Sequence, residues 1–150
     1  MAQYVIAREG VIPVAGAVLL ALTSQANEIC RVNEVSVGGE ATSSTVNRMA
    51  VRRSTTVGST ATTQTPARMS PSAQATIIQG ATTFTTEPTT AAAPAIWTYA
   101  LNVFGGVVRW VAAPGQELWI EGATAGNSEI SLESSAGTGI ISCQVVFEEI

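Results

Sequence analysis

The strictest alternation in the chain is near its C-terminus, where Ile141, Cys143, Val145 and Phe147 take turns with Ser142, Gln144, Val146 and Glu148. A period of two predicts a strand with one face in a core. Upstream, Ile130 and Leu132 alternate with Glu129, Ser131 and Glu133, and Gly137-Thr138-Gly139 separates the two runs. Together they predict a hairpin. VVRWVA (Val107 to Ala112) and ELWIEG (Glu117 to Gly122) flank Ala113-Pro114-Gly115-Gln116, with Pro and Gly in turn positions, and predict a second hairpin.

Four further segments read as extended. ICRVNEVSV (Ile29 to Val37) ends at a Gly pair, and VNRMAVRRS (Val46 to Ser54) puts Met49 and Val51 on one face and Arg48 and Arg52 on the other. TIIQGATTFTT (Thr76 to Thr86) and AIWTYALNVF (Ala95 to Phe104) are rich in β-branched and aromatic residues, with Gly80 marking a bend or bulge in the former. Only Gly16 to Asn27 approaches helical composition, and its flanks cap poorly. The sum is about eight or nine short strands in an all-β, antiparallel β-sandwich, a count that suits a jelly roll. A chain of 150 residues fits one domain spanning 1–150. Residues 1–22 serve either as its first strand or as an N-terminal arm that adds a strand to another sheet.

Two apolar or low-complexity stretches test this picture. Val11 to Leu22 is followed by small residues, but it contains Pro13 and follows Arg8 and Glu9 rather than a net-positive leader, so it reads as an early strand rather than a signal segment. It is also too short to span a bilayer. Arg52 to Thr76, RRSTTVGSTATTQTPARMSPSAQAT, has the Ser and Thr of a mucin-like stalk but continues a strand. With Val57 and Met69 as anchors and Pro66 and Pro71 fixing φ, it reads as an ordered crossover.

Composition removes most chemistry. The chain is 46% hydrophobic and 12% charged, and it holds no Lys, Asp or His. His-based triads, His metal sites, Lys Schiff bases and Walker loops are therefore excluded. Glu117 with Glu121, and Glu129 with Glu133, are the candidate acid–base pairs. On a strand each pair is roughly 13 Å apart, wider than glycosidase carboxylates. A net charge of −4 argues against a nucleic-acid surface. Arg48, Arg52 and Arg53 form the one basic cluster, a solvated strand face or a site for partner carboxylates. Cys30 and Cys143, without CxxC spacing, read as two buried thiols or as one disulfide.

The Arg52–Thr76 stretch, preceded by ICRVNEVSVGG and followed by W-x-x-x-P-G-x-x-x-W and a final VVFEE, resembles small β-sandwich proteins of tailed-phage structural regions, the capsid decoration or cement proteins. The resemblance runs from Ile29 onward and brings no catalytic residue and no cofactor. It implies a jelly-roll protomer, often a homotrimer, that binds the major capsid protein on the capsid exterior after synthesis in the host cytoplasm. Candidate capsid or subunit contacts are then Tyr4, Ile6, Val11 and Val14 on the N-terminal segment, Arg48 and Arg52, and Trp97, Trp110 and Trp119. No nucleic-acid or membrane partner is expected. The competing reading is a carbohydrate- or receptor-binding module, which requires a tryptophan exposed in a shallow groove.

Overall fold

A computed structural model describes residues 2–25, 28–90, 95–122 and 129–150. Among the described residues there is no helix and there are thirteen strands: β1 (Ala2–Val11), β2 (Val18–Thr23), β3 (Ile29–Gly39), β4 (Val46–Thr56), β5 (Ser59–Gln64), β6 (Ala67–Arg68), β7 (Gln79–Thr86), β8 (Thr89–Thr90), β9 (Trp97–Asn102), β10 (Val107–Val111), β11 (Leu118–Glu121), β12 (Glu129–Ala136) and β13 (Ile141–Glu149). They form two antiparallel sheets packed face to face, a β-sandwich. One sheet runs β10-β3-β13-β1-β6 with β11 also on β3; the other runs β5-β7-β2-β12-β4-β8 with β9 also on β4. The count exceeds eight or nine because Ser/Thr-rich segments supply β5, β6 and β8, which carry no apolar alternation to announce them.

The long strands pair in a nested order. β1 lies on β13, β2 on β12, β3 on β10 and β11, and β4 on β9. The first four strands thus meet the last ones in reverse. The inward rows of both sheets, including Tyr4, Ile6, Val35 and Phe147 from one and Leu20, Met49, Val51 and Leu132 from the other, make one core. Tyr4 stacks on Phe147 at 5.5 Å between ring centroids.

Residues 1–22 supply two strands rather than one. β1 is held between β13 and β6 of its own chain, and β2 lies in the other sheet. In this fold the segment is therefore part of the sandwich and does not extend from it as an arm. Tyr4 and Ile6 are buried to 1% exposure, which corrects their assignment as contact residues. Alternation put their apolar side chains on the core face.

Neither expected hairpin forms. β12 and β13 lie in different sheets, so Gly137 to Gly139 arches across the end of the sandwich. Their two apolar faces look toward each other through the core instead of lying side by side. β10 and β11 both run antiparallel to β3 and are collinear, with Val111 opposite Glu34 and Leu118 opposite Val32. Asn33 is the extra residue of a β-bulge, since Phe147 faces Val32 and Val146 faces Glu34 on the other side of β3. The neighbouring edge breaks at the same place. Ala112 donates its N–H to the Asn33 carbonyl at 2.9 Å, and the chain makes an excursion through Pro114 and Gly115 before resuming its direction.

The Arg52–Thr76 stretch crosses from one edge of its sheet to the other. It ends β4, forms β5 against β7, and then reaches the other sheet as β6 on β1. Val57 and Met69 are exposed and do not anchor it. The hold comes from Gln64 Nε2 donating to the Ala7 carbonyl (2.8 Å), Tyr4 Oη donating to the Gln74 carbonyl (2.9 Å) and the buried Ile78. Gly80, expected at a bend, is a close approach: a Cβ there would lie 1.6 Å from Ile6 Cδ1.

Cys30 and Cys143 are both buried free thiols. Cys30 is opposite Glu149 on β13, six residues from Cys143, about 20 Å by strand rise. That distance forbids a disulfide without rebuilding the sheet.

Candidate docking surface

The nested pairing brings four connections to one end of the sandwich: residues 12–17, 40–45, 103–106 and 137–140. They are stitched by main-chain hydrogen bonds. Glu40 N–H donates to the Ile140 carbonyl (2.9 Å), Ala41 N–H to Val103 (3.0 Å), Val103 N–H to Thr45 (3.0 Å) and Gly39 N–H to Gly106 (2.8 Å). Asn47, fully buried, donates Nδ2–H to the Gly139 carbonyl at 3.0 Å. Gly39 is required by close approach, because a Cβ would lie 2.3 Å from Val103 Cα. Such stitching fixes the positions of whatever side chains the loops carry.

What they carry is apolar. Ile12, Val14, Val46, Phe104, Val107 and Ile140 are between 38% and 71% exposed, all at this end. Segments 9–17, 40–46, 102–107 and 137–141 contain two charged residues, Glu9 and Glu40, and no cation. Ser142 Oγ ties the Glu40 carboxylate to the first connection, donating to that carboxylate and accepting Gly10 N–H. Isolated exposed apolar residues are ordinary, but six gathered on rigid loops mark an interaction surface.

The expected contact residues are distributed differently. Val14 is on this surface and Val11 is half-buried at its base, opposite Ile141. Arg48 is exposed on the outer face of β4, while Arg52 pairs with Glu133 (Nε to Oε2, 3.3 Å). Trp97 and Trp110 are half-buried and close the side of the sandwich between β9 and β10, 5.9 Å apart, with Tyr99 4.5 Å from Trp97. They fill the fold instead of presenting flat faces. Trp119 alone is exposed, at 41%, on the outer face of the sheet. The Arg31 guanidinium stands 5.6 Å from its ring centroid and also pairs with Glu148 at 2.7 Å.

The glutamate pairs are not assembled for acid–base work. Glu129 is buried and accepts hydrogen bonds from Thr23 Oγ1 (2.8 Å) and Ser131 Oγ (3.2 Å), with Ser54 Oγ 2.8 Å beyond, while Glu133 faces Arg52. Glu117 accepts Gly115 N–H at 3.1 Å, and backbone N–H groups hold its carboxyl below the ordinary value. Among the described residues no group of three or more His, Cys, Asp or Glu is arranged to hold a metal ion.

Of the six exposed apolar residues, only Val14 was legible as a contact. Val46 and Val107 sit at strand ends and Phe104 in the turn between β9 and β10, where alternation does not reveal that several loops converge. Comparison with protein-family models, with curated proteins and with solved structures finds no match to the chain.

Proposed function

We propose that the chain is a non-enzymatic virion structural protein that docks on the outer surface of a phage capsid as a decoration or cement protein. The observation that carries this reading is the apolar, cation-free loop end with Ile12, Val14, Phe104 and Val107 at its centre. It offers apolar area to a partner with few ions to desolvate, and burying unpaired ions is costly. The nested strand pairing supports reading the sandwich as a jelly roll, in which two four-stranded sheets, β10-β3-β13-β1 and β2-β12-β4-β9, are extended by the inserted β5 and β7. The low charge of the whole chain, 12% of residues, suits a protein that spends its time against another protein surface.

The test is co-sedimentation with empty shells assembled from the major capsid protein of the same genome. Wild type is expected to bind saturably, and V14S/F104S to lose at least tenfold in affinity while keeping its melting temperature. Equal binding by the variant overturns the assignment of the loop end, and no binding by wild type overturns the capsid reading.

Exposure of Trp119 favours a second reading, a carbohydrate- or receptor-binding module, because an exposed indole stacks on a sugar face. A glycan screen of wild type against W119A separates the two: only this reading expects a ligand lost with the indole.

A further inference from the structure

The outer face of the β3–β13 sheet is hollowed where it meets the loop end. Ala7, Ser36, Gly38 and Ser142 point outward on the neighbouring strands β1, β3 and β13, and their small side chains leave an open trough of about 270 Å³. Val107 walls it on the β10 side, opposite Gly38, and is itself one of the exposed apolar residues of the loop end. Trough and docking surface are therefore continuous. The volume lies below the roughly 300–1,000 Å³ of pockets for drug-sized ligands and suits a single side chain.

The charge around the trough is one-sided. Glu9 and Glu40, both exposed, flank Ser142 on either side, about 10 Å apart by strand spacing. Ser142 Oγ donates to the Glu40 carboxylate and so fixes it at the rim. Among the described residues neither glutamate forms a salt bridge. The two cations nearby are engaged elsewhere. Arg8 alternates to the inner side and donates Nη1–H to the Leu19 carbonyl of the other sheet at 2.7 Å. Arg109, the next outward residue of β10 after Val107, donates Nε–H and Nη2–H to the two carboxylate oxygens of Glu34 at 2.8 and 2.7 Å.

We propose that this trough receives one cationic side chain, an arginine or a lysine, from the protein on which the loop end docks. The inference rests on the docking reading and adds the partner's chemistry to it. Contact through Val107 and Ile140 brings a protein surface over Glu9 and Glu40, and carboxylates covered without a counter-ion are costly. A partner that meets this end with apolar side chains alone leaves both unpaired, whereas one guanidinium or ammonium between them serves both. The same arrangement rejects a partner whose facing residue is acidic. Most of the contact stays on the loops, and the cation reaches over their rim.

The test is co-sedimentation with shells assembled from the major capsid protein of the same genome, at about 0.05 M and 0.5 M salt. E9Q/E40Q keeps the side-chain shapes and an acceptor for Ser142, and is expected to melt with wild type. It is expected to bind roughly tenfold more weakly or worse at low salt, with the gap narrowing at high salt. E28Q/E117Q removes the same charge away from the loop end and is expected to bind as wild type does. Wild-type binding that E9Q/E40Q leaves unchanged overturns the cation, while V14S/F104S still reports on the docking surface. An equal loss in E28Q/E117Q assigns the effect to net charge and overturns it too. Failure of wild type to bind removes the docking reading and this inference with it.

Discussion

Gly80 and Gly39 mark the places where single atoms decide the packing. A methyl group at Gly80 meets the mobile tip of Ile6, and one at Gly39 meets the Val103 backbone. Gly80→Ala is expected to cost about 1–3 kcal/mol, because Ile6 must leave its rotamer. Ile6→Val, which removes the offending Cδ1, is expected to relieve part of that loss, so that denaturant melts of the double mutant show at least 1 kcal/mol of coupling. Strict additivity would contradict the close approach. Gly39→Ala is expected to lose more than Gly80→Ala, since backbone cannot step aside. The sequence marks both positions as glycine but not what lies above them, and so Gly80 reads as a bend. The cysteines were more legible, as small apolar residues on alternating strands. Burial pushes both thiols up to about 12, from an ordinary value of 9. Each group is neutral while protonated, and the unfolded chain loses the proton first as pH rises. Their contribution to stability is thus full below about 9 and falls away toward 12. Folded protein at pH 8 is expected to leave both thiols unmodified by iodoacetamide, and unfolded protein to modify two per chain; fast labelling of the folded chain would count against their burial.

At the scale of elements, alternation located most of the long strands but not their partners. The β12 and β13 patterns are indistinguishable from a hairpin, because a period of two fixes which face is apolar and not which sheet the strand joins. β10 and β11 also read as a hairpin. The Asn33 bulge that keeps them collinear lies in a third strand, where a single extra polar residue leaves no signal that stands apart from ordinary alternation. The excursion between them carries no ladder pairing, so a four-residue Gly/Ser insertion after Pro114 is expected to change stability by less than about 1 kcal/mol. A larger loss in thermal melts would mean that 112–117 is part of the sheet's support. Trp110, by contrast, closes the side of the core against Trp97. Trp110→Ala is expected to cost about 2–4 kcal/mol in urea and to abolish the near-ultraviolet dichroism of the indole pair. Loss of sugar binding with intact stability would instead make it a ligand platform.

For the molecule as a whole, the nested topology gathers the apolar residues of four distant segments at one end. No local window shows that convergence, so Val14 is the one member that the sequence offers as a contact, and only as part of an arm. The proposed function requires this end to face a capsid. The most direct measurement is a cryo-electron microscopy map of shells saturated with the chain, into which the sandwich is fitted. Density is expected on the outer surface with Ile12, Val14, Phe104 and Val107 turned toward the capsid protein. A fit in which the outer face of the β3–β13 sheet or the opposite end makes the contact, or shells that carry no density for the chain, would contradict it.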